Sequence, residues 1–304
     1  MNLLPVTGNT CAVEASTALL PLYRCGGNDV ILIDTGLAIK DREALTKLLA
    51  DNRFNLRGII CTHAHLDHTG NARYLQSRYN CPVAMPLIEA GIAASPDAFR
   101  ANYAYLTFAE SRRFLREVCV TSDVIIPPDV PVFSFCGIPF AIVPLPGHTA
   151  GQIGVATPDG VLYLADCLLG RNMMEHAKLP TVMNIAEHMN TISTLQSLPY
   201  HHFIVAHKDI VADIRPLATY NLEQIRLRIN QLLSCLQSGM DFSEWMWTFC
   251  EEAFIHTRKD LKLSVLERNF SYFLAYLEDT GLVEVQREHG AKHYTRSGTL
   301  PPLT

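Results

Sequence analysis

The chain has 304 residues, 48% of them hydrophobic and 18% charged, which suits one large globular domain plus a smaller one and excludes disorder on any large scale. Its 25 Lys and Arg against 30 Asp and Glu give a net charge of −5, so no overall electrostatic pull toward nucleic acid or anionic membrane exists. Nine cysteines, odd in number, spread from Cys11 to Cys250 and without a CxxC pair, read as buried thiols of a reducing compartment rather than a disulfide framework.

The opening "MNLLPVTGNTCAVEAS" lacks a basic stretch followed by a long apolar one, and later apolar runs are broken by Pro, Gly and Asp. No secretory signal or membrane span is expected, and the chain reads as cytoplasmic. "NDVILIDTG" is a β-branched run closed by a turn, and "RGIICTH" is a second strand that ends at His63. "NARYLQSRY" places Ala72, Leu75 and Tyr79 at helical spacing before "CPVAM" returns to strand, giving β-loop-α-β order. Residues 86 to 118 read as helical and aromatic-rich (Phe99, Tyr103, Tyr105, Phe108, Phe114), either packing helical faces together or forming a lid. "IPFAIVPLPGHTAGQIGVATPDGVLYLAD" holds three strand-like runs with a hairpin turn at "TPDG". A helix over "MNIAEHMNTISTLQSLP" and a strand over "YHHFIVAH" follow, the latter ending at His207.

Composition shifts after about residue 213. "LEQIRLRINQLLSCL" and "SVLERNFSYFLAYLEDTG" are amphipathic helices, and "LVEVQREHGAKHYTR" forms a hairpin around His289-Gly290. Helices followed by a hairpin predict a winged-helix-like domain over 214–304, after a larger domain over 1–213.

The densest chemistry lies in "THAHLDHTG". His63, His65 and Asp67 alternate and His68 follows at once, so no single helix or strand face presents all four to one point. A loop at a strand end can do so, and can divide them between two metals. A lone histidine is more often a core or surface residue than a ligand, but four ligand-type residues in six positions are not explained that way. Further donors stand at later strand ends: His148 in "PGHTAG", Asp166 in "YLADCLL" and His207 in "VAHKD". Imidazoles with carboxylates suit zinc, and also iron or manganese.

In these seven residues, by order and position, roughly the first 210 residues resemble the metallo-β-lactamase superfamily. The resemblance implies an α/β fold, an αββα sandwich with two metals held at one edge by loops. It implies His63, His65 and His148 on the first metal, Asp67, His68 and His207 on the second, and Asp166 bridging. Asp34 in "ILIDTG" matches an early Asp of the family that orients the site. Cys167 follows Asp166 directly; adjacent strand residues face opposite sides, so Cys167 is expected to be buried and inert. The chain lacks the glutamate and flavodoxin domain of flavodiiron relatives, the large insertion of nuclease relatives, and the final motif of glyoxalase II. Lys208 and the remaining histidines, His176, His188, His201, His202, His256, His289 and His293, read as solvated polar residues.

The C-terminal region resembles the winged-helix extension of a subgroup of these hydrolases. It carries 10 Lys and Arg against 11 Asp and Glu, so DNA or RNA binding is the minority reading, and packing beside the active site or supporting a homodimer the preferred one. The expected chemistry is hydrolysis of a small-molecule ester, thioester or lactone by a metal-bridging hydroxide, with Asp67 or a metal-bound water handling the proton. The alternatives are phosphodiester or RNA cleavage, and a DNA-binding regulator whose metal site has no turnover.

Overall fold

A computed structural model describes residues 1–103, 107–257 and 259–300. Four antiparallel strands open the chain: β1 (Asn2–Thr7), β2 (Thr10–Glu14), β3 (Leu19–Gly26) and β4 (Asp29–Ile33). Helix α1 (Ala38–Asp51) then crosses to β5 (Asn55–Ile60), parallel to β4. The short helix α2 (Leu66–Thr69) and α3 (Ala72–Tyr79) lead to β6 (Val83–Pro86). Three helices, α4 (Leu87–Ala93), α5 (Pro96–Tyr103) and α6 (Phe108–Phe114), precede β7 (Val124–Ile126), the last strand of a seven-stranded sheet in chain order.

The second sheet has six strands in the order β13-β12-β11-β10-β9-β8. They are β8 (Val132–Phe135), β9 (Ile138–Pro144), β10 (Ile153–Ala156), β11 (Val161–Tyr163), β12 (His202–Val205) and β13 (Asp209–Val211), with α7 (Arg171–His176) and α8 (Ile185–Leu195) inserted between β11 and β12. Three longer helices follow, α9 (Arg215–Cys235), α10 (Phe242–Glu252) and α11 (Asp260–Asp279), and then the hairpin of β14 (Val283–Glu288) and β15 (Ala291–Arg296).

The period-2 geometry of a strand explains how the layers stack. Along β9, Phe140 and Ile142 enter one apolar core with residues of the first sheet, whereas Ala141 and Val143 pack against another. The same split recurs at Val161 and Tyr163 against Leu162, and at Ile204 against Phe203 and Val205. The inner core thus lies between the sheets. The outer one joins the second sheet to α8 and to Trp245, Phe249, Phe270 and Phe273 of the C-terminal helices. Residues beyond 214 share this core with the sheet.

Several elements lack a counterpart among those predicted. Pro5 and Pro21 interrupt the runs that become β1 and β3; a proline reads against a central strand, yet both are accommodated here. Helix α10 is announced by a capping box, Asp241 with Glu244, that periodicity alone passes over. Of the aromatic segment, Phe99 is fully buried in the inner core, and exposed Phe108 stacks under Arg100 at 4.0 Å. Tyr105 and the side chains of Tyr103 and Phe114 lie outside the described residues. The nine cysteines are free thiols; seven are buried, Cys25 partly so, and Cys136 is exposed. Among the described residues, no helix is long and apolar enough to cross a membrane.

Candidate metal centre

Seven side chains from distant parts of the chain meet where parallel strands end. His63 and His65 lie in the loop after β5, and Asp67 and His68 in the first turn of α2. His148 sits in the loop between β9 and β10, and His207 follows β12. Asp166 stands in a 3-10 turn, Ala165–Cys167, rather than in a strand. Strand alternation therefore does not place Cys167; it belongs to neither donor group, its thiol is fully buried, and burial pushes its pKa far up.

The donor atoms fall into two groups. His63, His65, His148 and Asp166 form one, and Asp67, His68 and His207 the other, each able to hold a metal ion by spacing. Asp166 touches both: its Oδ2 lies 3.4 Å from His148 Nε2, 3.9 Å from His63 Nε2 and 3.3 Å from His207 Nε2, while its Oδ1 lies 3.1 Å from His68 Nε2.

Hydrogen bonds on the far side of each ring fix which nitrogen faces inward. His148 Nδ1 donates to the Thr181 carbonyl at 2.7 Å, and His207 Nδ1 to the Thr17 carbonyl at 3.0 Å. His68 Nδ1 donates to Asp34 Oδ2 at 2.7 Å. Thr62 Oγ1 gives its single proton to Asp34 Oδ2, so it accepts from His63 Nδ1 at 3.1 Å. Each of these four rings thereby aims Nε2 at the centre. His65 instead faces Nδ1 toward His148 Nε2 at 2.8 Å.

Three of the inward atoms, His63 Nε2, His68 Nε2 and Asp166 Oδ1, are buried without a hydrogen-bond partner. Buried orphan acceptors are unfavourable unless something satisfies them, and a divalent cation does so for neutral imidazoles and carboxylates together. The residues present therefore fit a metal.

The electrostatics separate the two groups. Burial and the neighbouring histidines push His63 and His65 well below the ordinary imidazole value. Burial would lower His207 too, but the charge and hydrogen bond of Asp166 outweigh it and raise its pKa to about 9. His68 follows the same pattern, burial being outweighed by Asp166 and Asp34. Burial disfavours the Asp166 carboxylate, yet His207 and His68 hold its pKa well below the usual range.

Two supports were not among the predicted site residues. Glu89, fully buried on α4, accepts from Ala64 N at 2.8 Å, Thr149 Oγ1 at 2.7 Å and Gly151 N at 2.9 Å. It ties the loop carrying His63 and His65 to the loop carrying His148. A lone glutamate in a helical stretch gave no signal of this. Glu89→Ala is expected to leave those donors unpaired and to lower metal affinity by roughly 10- to 100-fold, measured by competition with a chromophoric chelator.

The other is His188 on α8, which is buried rather than solvated: 4% exposed, with an Nδ1 that has no hydrogen-bond partner. Burial, with His148 adding to it, drops its pKa to about 3, so it is a neutral imidazole at physiological pH. Gly147, at φ +122°, permits this approach, since a Cβ there would meet the His188 backbone. His176, His201, His256 and His289 are exposed, and His202 and His293 are half-buried; none joins the centre.

A cavity of about 500 Å³ opens over the centre, lined by His65, Asp67, His148, Asp166, His188 and His207 among others. Asn221 and Ile225 of α9 and Val265, Arg268 and Asn269 of α11 form part of its wall. Among the described residues, none between 87 and 118 lines it. A second cleft beside His207 is lined by Lys208, Arg171 and His176.

A family model described as metallo-beta-lactamase superfamily matches residues 22–207, more than half of the chain. Among solved structures, the chain is similar to a metallo-beta-lactamase family protein from Thermus thermophilus, at 20% identity and TM-score 0.73, covering 97% of this chain and 98% of that one. It is likewise similar to a beta-lactamase domain protein from Burkholderia ambifaria, at 16% identity and TM-score 0.73, covering 97% and 95%. These likenesses speak for the fold, and their coverage extends into the C-terminal helices. An atrochrysone carboxyl ACP thioesterase from Cryptosporiopsis sp. (strain 8999) is 24% identical over 215 residues, 69% of this chain; the chain spans about half of that relative's length, 55%.

Proposed function

The chain belongs to the metallo-β-lactamase superfamily of hydrolases, and on that premise we propose that it is a binuclear metal-dependent hydrolase of a small-molecule ester, thioester or lactone. The observation that carries this reading is Asp166, one carboxylate within reach of both donor groups. His63, His65 and His148 would hold one ion, Asp67, His68 and His207 the other, and Asp166 both. Zinc suits this nitrogen and oxygen set best, and iron or manganese is accommodated by the same donors. Two such ions, when bound, supply a hydroxide nucleophile near neutral pH and a Lewis acid for the carbonyl oxygen.

The chain's own residues do the rest. Asp34, Thr181 and Thr17 fix three rings through Nδ1, so no ring must reorient during reaction. Asp67, with a side chain 23% exposed, faces the cavity and is placed to take up a proton beside the reacting carbonyl. We read α9–α11 with the β14–β15 hairpin as a winged-helix-like unit, residues 214–304, whose place in the cavity wall fits it to shape substrate access. Nine free thiols suit a reducing, cytoplasmic setting.

The distant relative named above is a thioesterase, which places thioesters first in the test. Thioesters, lactones, esters and phosphodiesters are offered to protein of measured metal content, beside a chelated control. Carbonyl substrates are expected to turn over, to stop on chelation and to resume with zinc. Cleavage of phosphodiesters alone, or full activity of metal-free His63→Ala protein, would overturn the reading.

A further inference from the structure

We propose that the chamber over the metal centre takes an acyl group with an oxo oxygen along its chain, read by a hydrogen bond from the imidazole of His188. This rests on the hydrolase reading and names the class of substrate that reading leaves open.

Much of the chamber wall is apolar, with Leu66, Met174, Leu179, Val182, Ile225 and Val265 among its lining residues. Into that wall α8 places His188, 4% exposed and near His148. Polar neighbours in the wall are engaged within the protein. Asn221 accepts from Leu169 N at 3.0 Å and donates to the Leu169 carbonyl at 2.9 Å, and Asn269 donates to the Leu179 carbonyl at 2.9 Å. His188 differs, because its Nδ1 is sealed and has no hydrogen-bond partner. Helix α8 and the residues leading into it are also tied to the loop that carries His148. Asn184 N donates to the Gly147 carbonyl at 3.0 Å, Met183 N to the His148 carbonyl at 3.3 Å and Thr191 Oγ1 to the Pro146 carbonyl at 2.9 Å. The His188 ring therefore keeps a fixed place relative to that loop.

Burial keeps the ring neutral, so it holds one N–H and one lone pair. A sealed N–H without an acceptor is the costlier orphan, which puts the proton on Nε2 and leaves Nδ1 the lone pair. Nε2, the ring nitrogen that is not sealed, then offers a neutral donor to the chamber. A donor in apolar surroundings calls for an acceptor. An oxo oxygen supplies one without a proton of its own, whereas a hydroxyl brings a second donor to satisfy. Because His188 is fixed against the His148 loop, it reads that oxygen at one distance from the scissile carbonyl, and so at one position along the chain. The volume of about 500 Å³ is that of a site for a small molecule.

The test is a binding titration on metal-loaded, full-length protein, so it does not depend on turnover. Pentanoate is compared by calorimetry with its α-oxo, β-oxo and γ-oxo derivatives. One oxo isomer is expected to bind about tenfold tighter than pentanoate. That advantage should vanish in His188→Phe, with pentanoate affinity and metal content unchanged. It should return in part in His188→Gln, whose amide NH2 reaches about as far as Nε2. No oxo advantage in the wild type overturns the proposal. If every advantage survives in His188→Phe, chelation by the metals explains it and the proposal falls. Loss of metal with all probes weakened alike in both variants makes His188 a support for the His148 loop and also overturns it. Absence of hydrolysis in the substrate panel would instead sink the hydrolase reading, and the titration would still decide this one.

Discussion

Asp166→Asn protein is expected to retain no more than one of two metal equivalents and to lose turnover by about 10³-fold, roughly 4 kcal/mol of transition-state stabilisation. The exchange keeps shape and changes charge. Asp166 Oδ2 faces His148 Nε2 at 3.4 Å and His207 Nε2 at 3.3 Å, and Oδ1 faces His68 Nε2 at 3.1 Å. An amide there must turn its NH2 toward one group or the other, and an amide NH2, its lone pair delocalised into the carbonyl, does not ligate a cation. Metal analysis beside thioester hydrolysis reads both effects. Two equivalents with near-normal turnover would refute the bridging role.

Chelator-stripped protein offers a second readout of the same residue. Asp166 holds the His207 pKa raised to about 9. A raised pKa contributes stability that is fully present below the unfolded value near 6.5 and is lost as pH rises through about 9. The stability gap between stripped wild type and stripped Asp166→Asn should therefore shrink above that pH.

The centre was legible because its chemistry is local in sequence. His63, His65, Asp67 and His68 occupy six positions at the end of a β-branched run, and a loop there is forced by the strand that precedes it. His148, Asp166 and His207 stood out by their place at strand ends, and the structure brings all three to the same point. What escaped were residues whose role comes from tertiary neighbours. Glu89 looks like any helical glutamate until Ala64 N, Thr149 Oγ1 and Gly151 N converge on it. His188 reads as one more polar residue of an amphipathic helix, and only its burial in the wall of the cavity shows that it points inward. Cys167 is buried in a 3-10 turn, which apolar content alone does not distinguish from a strand end. The C-terminal helices were visible from their periodicity, but their share in the chamber wall depends on docking against the second sheet, which no local pattern encodes.

Asp34→Asn should uncouple the second metal group from the first. Asp34 is fully buried and adopts φ 60°, a left-handed conformation that asparagine tolerates, so the backbone survives the exchange. Its carboxylate accepts three hydrogen bonds, from Thr62 N at 2.8 Å, Thr62 Oγ1 at 2.8 Å and His68 Nδ1 at 2.7 Å. Asparagine supplies one accepting oxygen. If that oxygen takes the Oδ1 place facing Thr62 N, the NH2 faces His68 and stabilises the tautomer protonated on Nε2, which withdraws the lone pair aimed at the centre. If the oxygen takes the Oδ2 place, it keeps Thr62 Oγ1 and His68 Nδ1 but loses the negative charge, and Thr62 N is stranded at about 1–3 kcal/mol. Either way the second equivalent of metal is expected to bind roughly 10- to 100-fold more weakly, with His63, His65 and His148 still able to hold the first. Nitrogen NMR of the metal-free protein reads the His68 tautomer directly. An unchanged tautomer together with unchanged affinity for both equivalents would reduce Asp34 to a packing residue.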